Sequence, residues 1–494
     1  MSNTTYKFAA MTRFISIITM SALLIWGCGH SAVEQSSNQQ IAALMEAGEF
    51  SRATAAIKEK IAKEQLSPEE VYHLNFLIDK MERIKIDYSK ADTAALSYIK
   101  KYIPDVTPEQ IAAWEASGAL EGMMIDGVKR YFRSAPRNLF RISKEAQSYW
   151  SKINGRQSDA LDQFLAEYLP KCVAEAKAQK SNSFNHFVKP QKMRYTYTLT
   201  VPAGEVPEGE MIRVWMPYPR EIAKYKDLKL LSTSQPEYII SPDSYLHKSI
   251  YMEKAAKADE PAIFSYQLSF TSYNQWFSFK AEDVKPYNTE SDLYKEFTAE
   301  RKTHVIFTPE LKALADSVVG DEQNPYLKAK RIWTYIAQTY PWASAREYST
   351  LDNIPSYVIK NRHGDCGQVS LLFITMCRYK GIPAKWQSGW MLHPGDVNLH
   401  DWAEAYFEGI GWVPVDQSFG FVANTEDEDE RFFFTKGLDA YRLIVNEDFS
   451  ADFYPAKIYP RSETVDFQRG EVEWRGGNLY FNRWDYNMDV EYLN

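Results

Sequence analysis

The stretch NRHGDCGQVSLLFITMCRYKGIPAKW, residues 361–386, reads as one helix with both ends marked. Val369, Leu372, Phe373, Met376 and Cys377 recur at three- and four-residue steps, the spacing of a single buried helical face. Gly381 is a natural stop, and Pro383 follows it. The helix is therefore expected to start near Gly364 or Asp365, with Cys366 in its first turn. Unpaired N–H groups and the helix dipole favour a thiolate there, so Cys366 is expected to have a lowered pKa and to act as a nucleophile. Cys377 is expected in the core. The two sulfurs would lie about 16 Å apart along the axis, too far for a disulfide.

A nucleophile needs a base, and the base needs a group to orient it. The segment HDWAEAYFEGIGWVPVDQ, residues 400–417, supplies both. His400 opens one strand, Asp416 closes the next, and EGIG turns the chain between them. Both lie equally far from Glu408, so an antiparallel hairpin would set them opposite each other with Cβ atoms about 4.5–5.5 Å apart. Asp416 would then hold the imidazole in one tautomer. His363 lies close to Cys366 but has no carboxylate placed to orient it. His393, in HPGD, is expected in a surface loop. A zinc site from His363, Cys366, Cys377 and His400 lacks a close C-x-x-C pair, and no metal or other cofactor is expected. EDEDE, residues 426–430, reads as a solvated acidic loop rather than a calcium site.

A chain of 494 residues exceeds a single core, and a multi-domain α+β architecture is expected. A net charge of −8 without a Lys/Arg cluster sets nucleic acid aside as a partner. Lys7 and Arg13 precede an apolar run from Phe14 to Ile25, which reads as a signal peptide over residues 1–27 and is too short to span a bilayer. It ends in Gly27-Cys28, the form of a bacterial lipoprotein junction with Cys28 as the lipidated residue. Residues 28–40 read as a polar tether. Residues 41–180 read as a helical bundle, with SPEE at Ser67–Glu70 and TPEQ at Thr107–Gln110 as capping boxes. Residues 190–287 alternate as short strands of a β-sandwich, as in MRYTYTLTV. Residues 288–425 hold the Cys366 helix and the His400 hairpin, and residues 426–494 form a β-rich C-terminal extension. The cysteines left after lipidation, Cys172, Cys366 and Cys377, do not make a disulfide framework.

GDCGQVSLLFITMCRYKGIPAK followed by HDWAEAYFEGIGWVPVD resembles the transglutaminase-like superfamily, over about Glu310 to Phe419. The resemblance implies a papain-like core in which the cysteine helix packs on an antiparallel sheet. It implies Cys366 as nucleophile, His400 as general base and Asp416 as orienting acid. An oxyanion donor upstream of the cysteine falls on Trp342 in TYPWAS, with Tyr340 second, while a core role for Trp342 stands beside it. The sandwich resembles the immunoglobulin-like domain that precedes such cores in bacteria. The implied function is an exported cysteine-dependent acyl-transfer enzyme acting on amide bonds, a peptidase or amidase rather than a cross-linking transglutaminase. Its substrate would be a peptide, a protein or a peptidoglycan-like polymer. Its place would be the bacterial cell envelope, lipid-anchored, periplasmic or cell-surface. The alternative is a membrane-tethered binding or scaffold protein that keeps the fold without the reaction. Oligomeric state is not legible.

Overall fold

The structure is a computed structural model that describes residues 37–155 and 159–493. The expected signal peptide, Cys28 and most of the tether lie outside the described residues. Residues 37–40, the expected end of the tether, are helical instead. No described helix is long and apolar enough to cross a membrane. The chain divides into two compact units, one reaching Ser97 and including Glu121–Arg133, the other made of Tyr98–Leu120 and Ser134 onward. The expected boundaries near residues 180–190, 287 and 425 all fall inside the second unit.

In the first unit the helix Pro68–Asp87 begins as its sequence requires. Ser67 accepts from the Glu70 N–H, and the Glu70 carboxylate accepts from the Ser67 N–H at 2.6 Å. The all-helical expectation fails further on. Lys90–Ala91, Gly122–Ile125 and Val128–Tyr131 form a three-stranded antiparallel sheet. The signal was the Asp126-Gly127 pair, whose φ values of 48° and 81° suit a tight hairpin turn. Ser51 secures that turn by donating its N–H and its hydroxyl to the Asp126 carboxylate, both at 2.8 Å.

In the second unit α1 (Ala135–Ile142) precedes a set of strands: β1 (Asn185–Val201), β2 (Met211–Pro217), β3 (Ser249–Ala255) and β4 (Ala262–Phe277). The alternating sequence of β1 does what period-2 patterning demands. Tyr195, Tyr197, Leu199 and Val201 point into one core with Val214 and Met216 of β2 and Phe264 of β4. β1 pairs with β4, and β2 with β3, in separate sheets.

Helices α2 (Pro325–Thr339), α3 (Ile354–Asn361) and α4 (Cys366–Tyr379) lead to the central sheet. Its strands are β5 (Ala384–His393), β6 (Asp396–Phe407), β7 (Gly411–Val415) and β8 (Arg442–Glu447), in the antiparallel order β7-β6-β5-β8. The C-terminal strands do not form a sheet of their own. β8 joins this sheet, β9 (Glu471–Trp474) pairs with β2, and β10 (Asp485–Leu493) pairs with β1.

α4 starts at Cys366, as the spacing predicts. Asp365 caps it by accepting from the Gln368 N–H at 3.0 Å, and the Gln368 side chain accepts from the Asp365 N–H at 3.3 Å. Its end is a Schellman motif, with Gly381 at φ 74° and the Ile382 N–H on the Cys377 carbonyl at 2.9 Å. The expected single buried face is corrected. Every residue from Gly367 to Arg378 is buried, because the helix lies between the central sheet and α2 and α3. Ala403 and Ala405 of β6 are small enough to let it sit close. The opposite face of the sheet carries Trp390, Leu392 and Trp402 into the β1–β2 core, where Trp390 stacks on Tyr195 with centroids 4.8 Å apart.

Candidate active site

His400 and Asp416 meet in a fully buried contact, Nε2 to Oδ2 at 2.7 Å. They do so by a different register from the one expected. Ala403 pairs with Val415, so the hairpin turns about Gly409 rather than Glu408. Continued one step, that register sets Asp416 across from Trp402, and His400 reaches it along the diagonal. Gly409 and Gly411, at φ 84° and 105°, make the turn tight enough for this shift.

Asp416 is fixed from several sides. Its Oδ1 accepts from the N–H and hydroxyl of Ser418 at 3.1 and 3.2 Å. The Trp333 indole of α2 donates to its carbonyl at 2.6 Å. Arg442 of β8 brings Nη1 to 3.0 Å from the same Oδ2 that faces His400. Burial alone would push the Asp416 carboxyl up, but His400 and Arg442 hold it below the usual carboxylate range. Burial, opposed by Asp416 and aided by Arg442, lowers the His400 pKa. At neutral pH the pair is a carboxylate beside a neutral imidazole. With Nε2–H given to Asp416, Nδ1 carries the lone pair that can accept a proton.

The structure does not join the third expected member to this pair. The Cys366 thiol donates to Asp401 Oδ2 at 3.4 Å, and among the described residues neither His400 nitrogen hydrogen bonds to the sulfur. The expected lowering of the Cys366 pKa is also overturned. Burial first, then the Asp401 and Asp365 carboxylates, push the thiol well above its ordinary value. A helix N-terminus offers about 0.3–1 kcal/mol to an exposed anion, which buried carboxylates this close outweigh.

Trp342 is not a core residue. It is 46% exposed, forms an isolated parallel bridge with Gly364, and lies beneath the Arg141 guanidinium of α1 at 4.5 Å. Asn138 of the same helix clasps the following loop. Its carboxamide donates to the Ser344 carbonyl at 2.9 Å and accepts from the Ser344 N–H at 3.0 Å. Tyr340 is buried beside Tyr335. His393 is corrected too: it ends β5, is fully buried, and lies 3.0 Å from Asp439. Cys172 and Cys377 are buried free thiols.

The site thus combines a helix-borne cysteine over an antiparallel sheet with a buried His–Asp pair on the adjoining hairpin. Residues 312–417, which contain Cys366, His400 and Asp416, match the transglutaminase-like superfamily, and this segment is a transglutaminase-like domain. The chain is 25% identical to the uncharacterized protein YebA of Bacillus subtilis over 130 residues, which is 23% of this chain and 18% of YebA. It is 24% identical to an uncharacterized Haemophilus influenzae protein over 270 residues, 45% of this chain and 67% of that one. Among solved structures it is similar to a candidate cysteine protease of Cytophaga hutchinsonii, with 14% identity, a TM-score of 0.43, and coverage of 63% of this chain and 93% of the other. It is also similar to the periplasmic domain of TgpA from Pseudomonas aeruginosa, with 13% identity, a TM-score of 0.26, and coverage of 52% and 91%.

Proposed function

We propose that this protein is an exported cysteine-dependent acyl-transfer enzyme that cleaves amide bonds through Cys366, His400 and Asp416. The observation that carries the reading is the buried His400–Asp416 pair at 2.7 Å, on the hairpin of the sheet that supports the cysteine helix. In this reading His400 Nδ1 takes the thiol proton as the sulfur attacks an amide carbonyl. The imidazolium then gives that proton to the leaving amine, and a Cys366 thioester remains. Water resolves it, which makes the enzyme a peptidase or amidase, whereas an amine would make it a cross-linking transglutaminase. The Cys366 N–H, at the first helical position, has no partner within the helix and serves as one oxyanion donor, with the Trp342 indole as the other.

The signal sequence and Cys28 support a lipid-anchored place in the cell envelope, with peptide, protein or peptidoglycan-like polymers as substrates. The β1–β4 segment is read as an immunoglobulin-like module. The test is incubation with a mixed peptide and cell-wall library, followed by mass spectrometry of Cys366. A thioester adduct is expected on the wild type and none on Cys366→Ala. The bond from the thiol to Asp401 instead of His400 favours a second reading, a binding or scaffold protein with this fold. That reading requires no adduct under any condition.

A further inference from the structure

β6 places His400 and Asp401 at successive positions, so their side chains leave the sheet on opposite faces. His400 turns toward Trp402 and Phe419. Asp401 turns to the face that carries α4, under the first turn of the helix. Its Oδ2 lies 3.4 Å from Cys366 Sγ and 3.3 Å from the Tyr348 hydroxyl, which also donates to Asp365 Oδ1 at 2.8 Å. Its Oδ1 accepts from Gln468 Nε2 at 2.8 Å, and that amide also reaches the carbonyls of Gly389 and His400 at 2.9 and 2.8 Å. Asp401 is 2% exposed. Three segments remote in sequence thus fix one buried carboxylate beneath one sulfur.

We propose that Asp401 is a positioning residue that holds the Cys366 sulfur as a thiol in the resting protein, so that the thiolate forms only when the S–H···Oδ2 bond is broken. This role rests on Cys366 being the nucleophile proposed above. The proton balance is simple. The S–H bond stays intact while it points at Asp401. When the S–H···Oδ2 bond breaks, the thiol proton passes to the base of the reaction proposed above, leaving a thiolate and the protonated base. Asp401 keeps its bonds to Tyr348 and Gln468 and gains no proton.

The surroundings favour the protonated resting form. Asp401 faces Asp365 at the cap of α4, Asp466 from the segment before β9, and the Tyr348 hydroxyl. Burial, then Asp466 and Asp365, push its own carboxyl well above the usual range. The cations of this cluster, Arg469 and Arg461, both act on Asp466, and Arg469 is also engaged with Glu347 and Glu463. Burial and the Asp401 and Asp365 carboxyls oppose a negative charge on the sulfur, against the Asp401 backbone N–H, which favours it. A thiol held this way also resists oxidation, which proceeds through the thiolate.

The test is iodoacetamide alkylation of the purified full chain across pH, with Cys366 followed by mass spectrometry. Asp401→Asn and Asp401→Ala should move the Cys366 profile at least one unit lower, about a tenfold faster reaction at pH 7. Near-ultraviolet circular dichroism reports whether each variant is folded. An unshifted profile in a folded variant overturns the proposal. The wild type gives an independent reading that alters nothing at Asp401, namely its S–H infrared band, located by difference against Cys366→Ala. A red-shifted, hydrogen-bonded thiol band at pH 7 is expected, and its absence overturns the proposal. Neither readout uses an acyl substrate. Shifted variants with no Cys366 adduct from any library sink the acyl-transfer reading and leave the Asp401 hold standing. An adduct with unshifted variants does the reverse.

Discussion

Arg442 lies between two buried carboxylates, with Nη1 3.0 Å from Asp416 and Nε 2.9 Å from Asp439. Each carboxylate also faces a histidine, His400 at 2.7 Å and His393 at 3.0 Å. A single guanidinium thus compensates both acids in a region closed to solvent. Arg442→Met removes the cation the two carboxylates share, leaving only Asp439 with a second one, Lys224, and removing one partner of a buried pair costs about 3–5 kcal/mol. Urea unfolding should show that loss as a lower midpoint with an unchanged slope. Arg442 also helps depress the His400 pKa, after burial. Without it the imidazole is protonated at higher pH. The acid limb of kcat/KM should move upward in Arg442→Met and stay in place in Arg442→Lys, which keeps the charge.

Asp416→Asn tests the orienting acid by itself. The carboxamide fits the same space, but it cannot stabilise an imidazolium as a carboxylate does. A fall of about 10³–10⁴-fold in turnover is expected at neutral pH, with unchanged circular dichroism. The stability consequence has a defined direction. A carboxyl held below its usual range contributes stability above the unfolded value of about 3.9 and loses it as pH falls through the lower folded value. Wild type and variant should therefore begin to converge in melting temperature below about pH 4 and meet only once the pH is under the lower folded value. Near-normal turnover in the variant removes Asp416 from the mechanism.

The local parts of this site were legible and the long-range parts were not. Asp365 and Gly381 mark the two ends of α4 through cap chemistry, which acts over a few residues. The His400–Asp416 pairing was legible because one hairpin carries both, although glycine turn geometry moved the register by one step. His393 looked like a loop residue beside Pro394-Gly395, yet the strand runs up to it and the turn begins after it. Asp401, Gln468 and Arg442 gave no signal. Their relation to Cys366 and Asp416 arises from strand alternation and from C-terminal segments folding back onto the sheet. The helix-dipole argument for Cys366 was sound in its local physics, and burial among acids reversed its outcome.

Trp342→Phe separates an oxyanion role from packing. The side chain is 46% exposed, so losing the indole nitrogen should change stability by no more than about 0.5 kcal/mol. As a donor, its N–H is expected to be worth about 10²-fold in kcat. Arg141→Ala removes the cation above the ring and leaves the N–H in place. The prediction is a large rate loss in the first variant and a small one in the second. Equal losses would assign the effect to loop position rather than to hydrogen bonding.

Gly367 gives the sharpest steric test. In a helix alanine is ordinarily favoured over glycine, by up to about 1 kcal/mol in the interior. Here a Cβ would run into the Tyr348 hydroxyl, approach Asp401 Oδ2 to 2.7 Å, and meet Trp386 Cη2 at 2.8 Å. All three neighbours are buried, so none can swing into solvent. Gly367→Ala should therefore destabilise the fold by about 1–3 kcal/mol, against the helix propensity. It should also push Asp401 and Tyr348 away from the sulfur and speed Cys366 alkylation at neutral pH. Thermal unfolding and alkylation of the same preparation check both effects. A variant as stable as the wild type would mean that the first turn of α4 is not packed as tightly on β6 as these distances require.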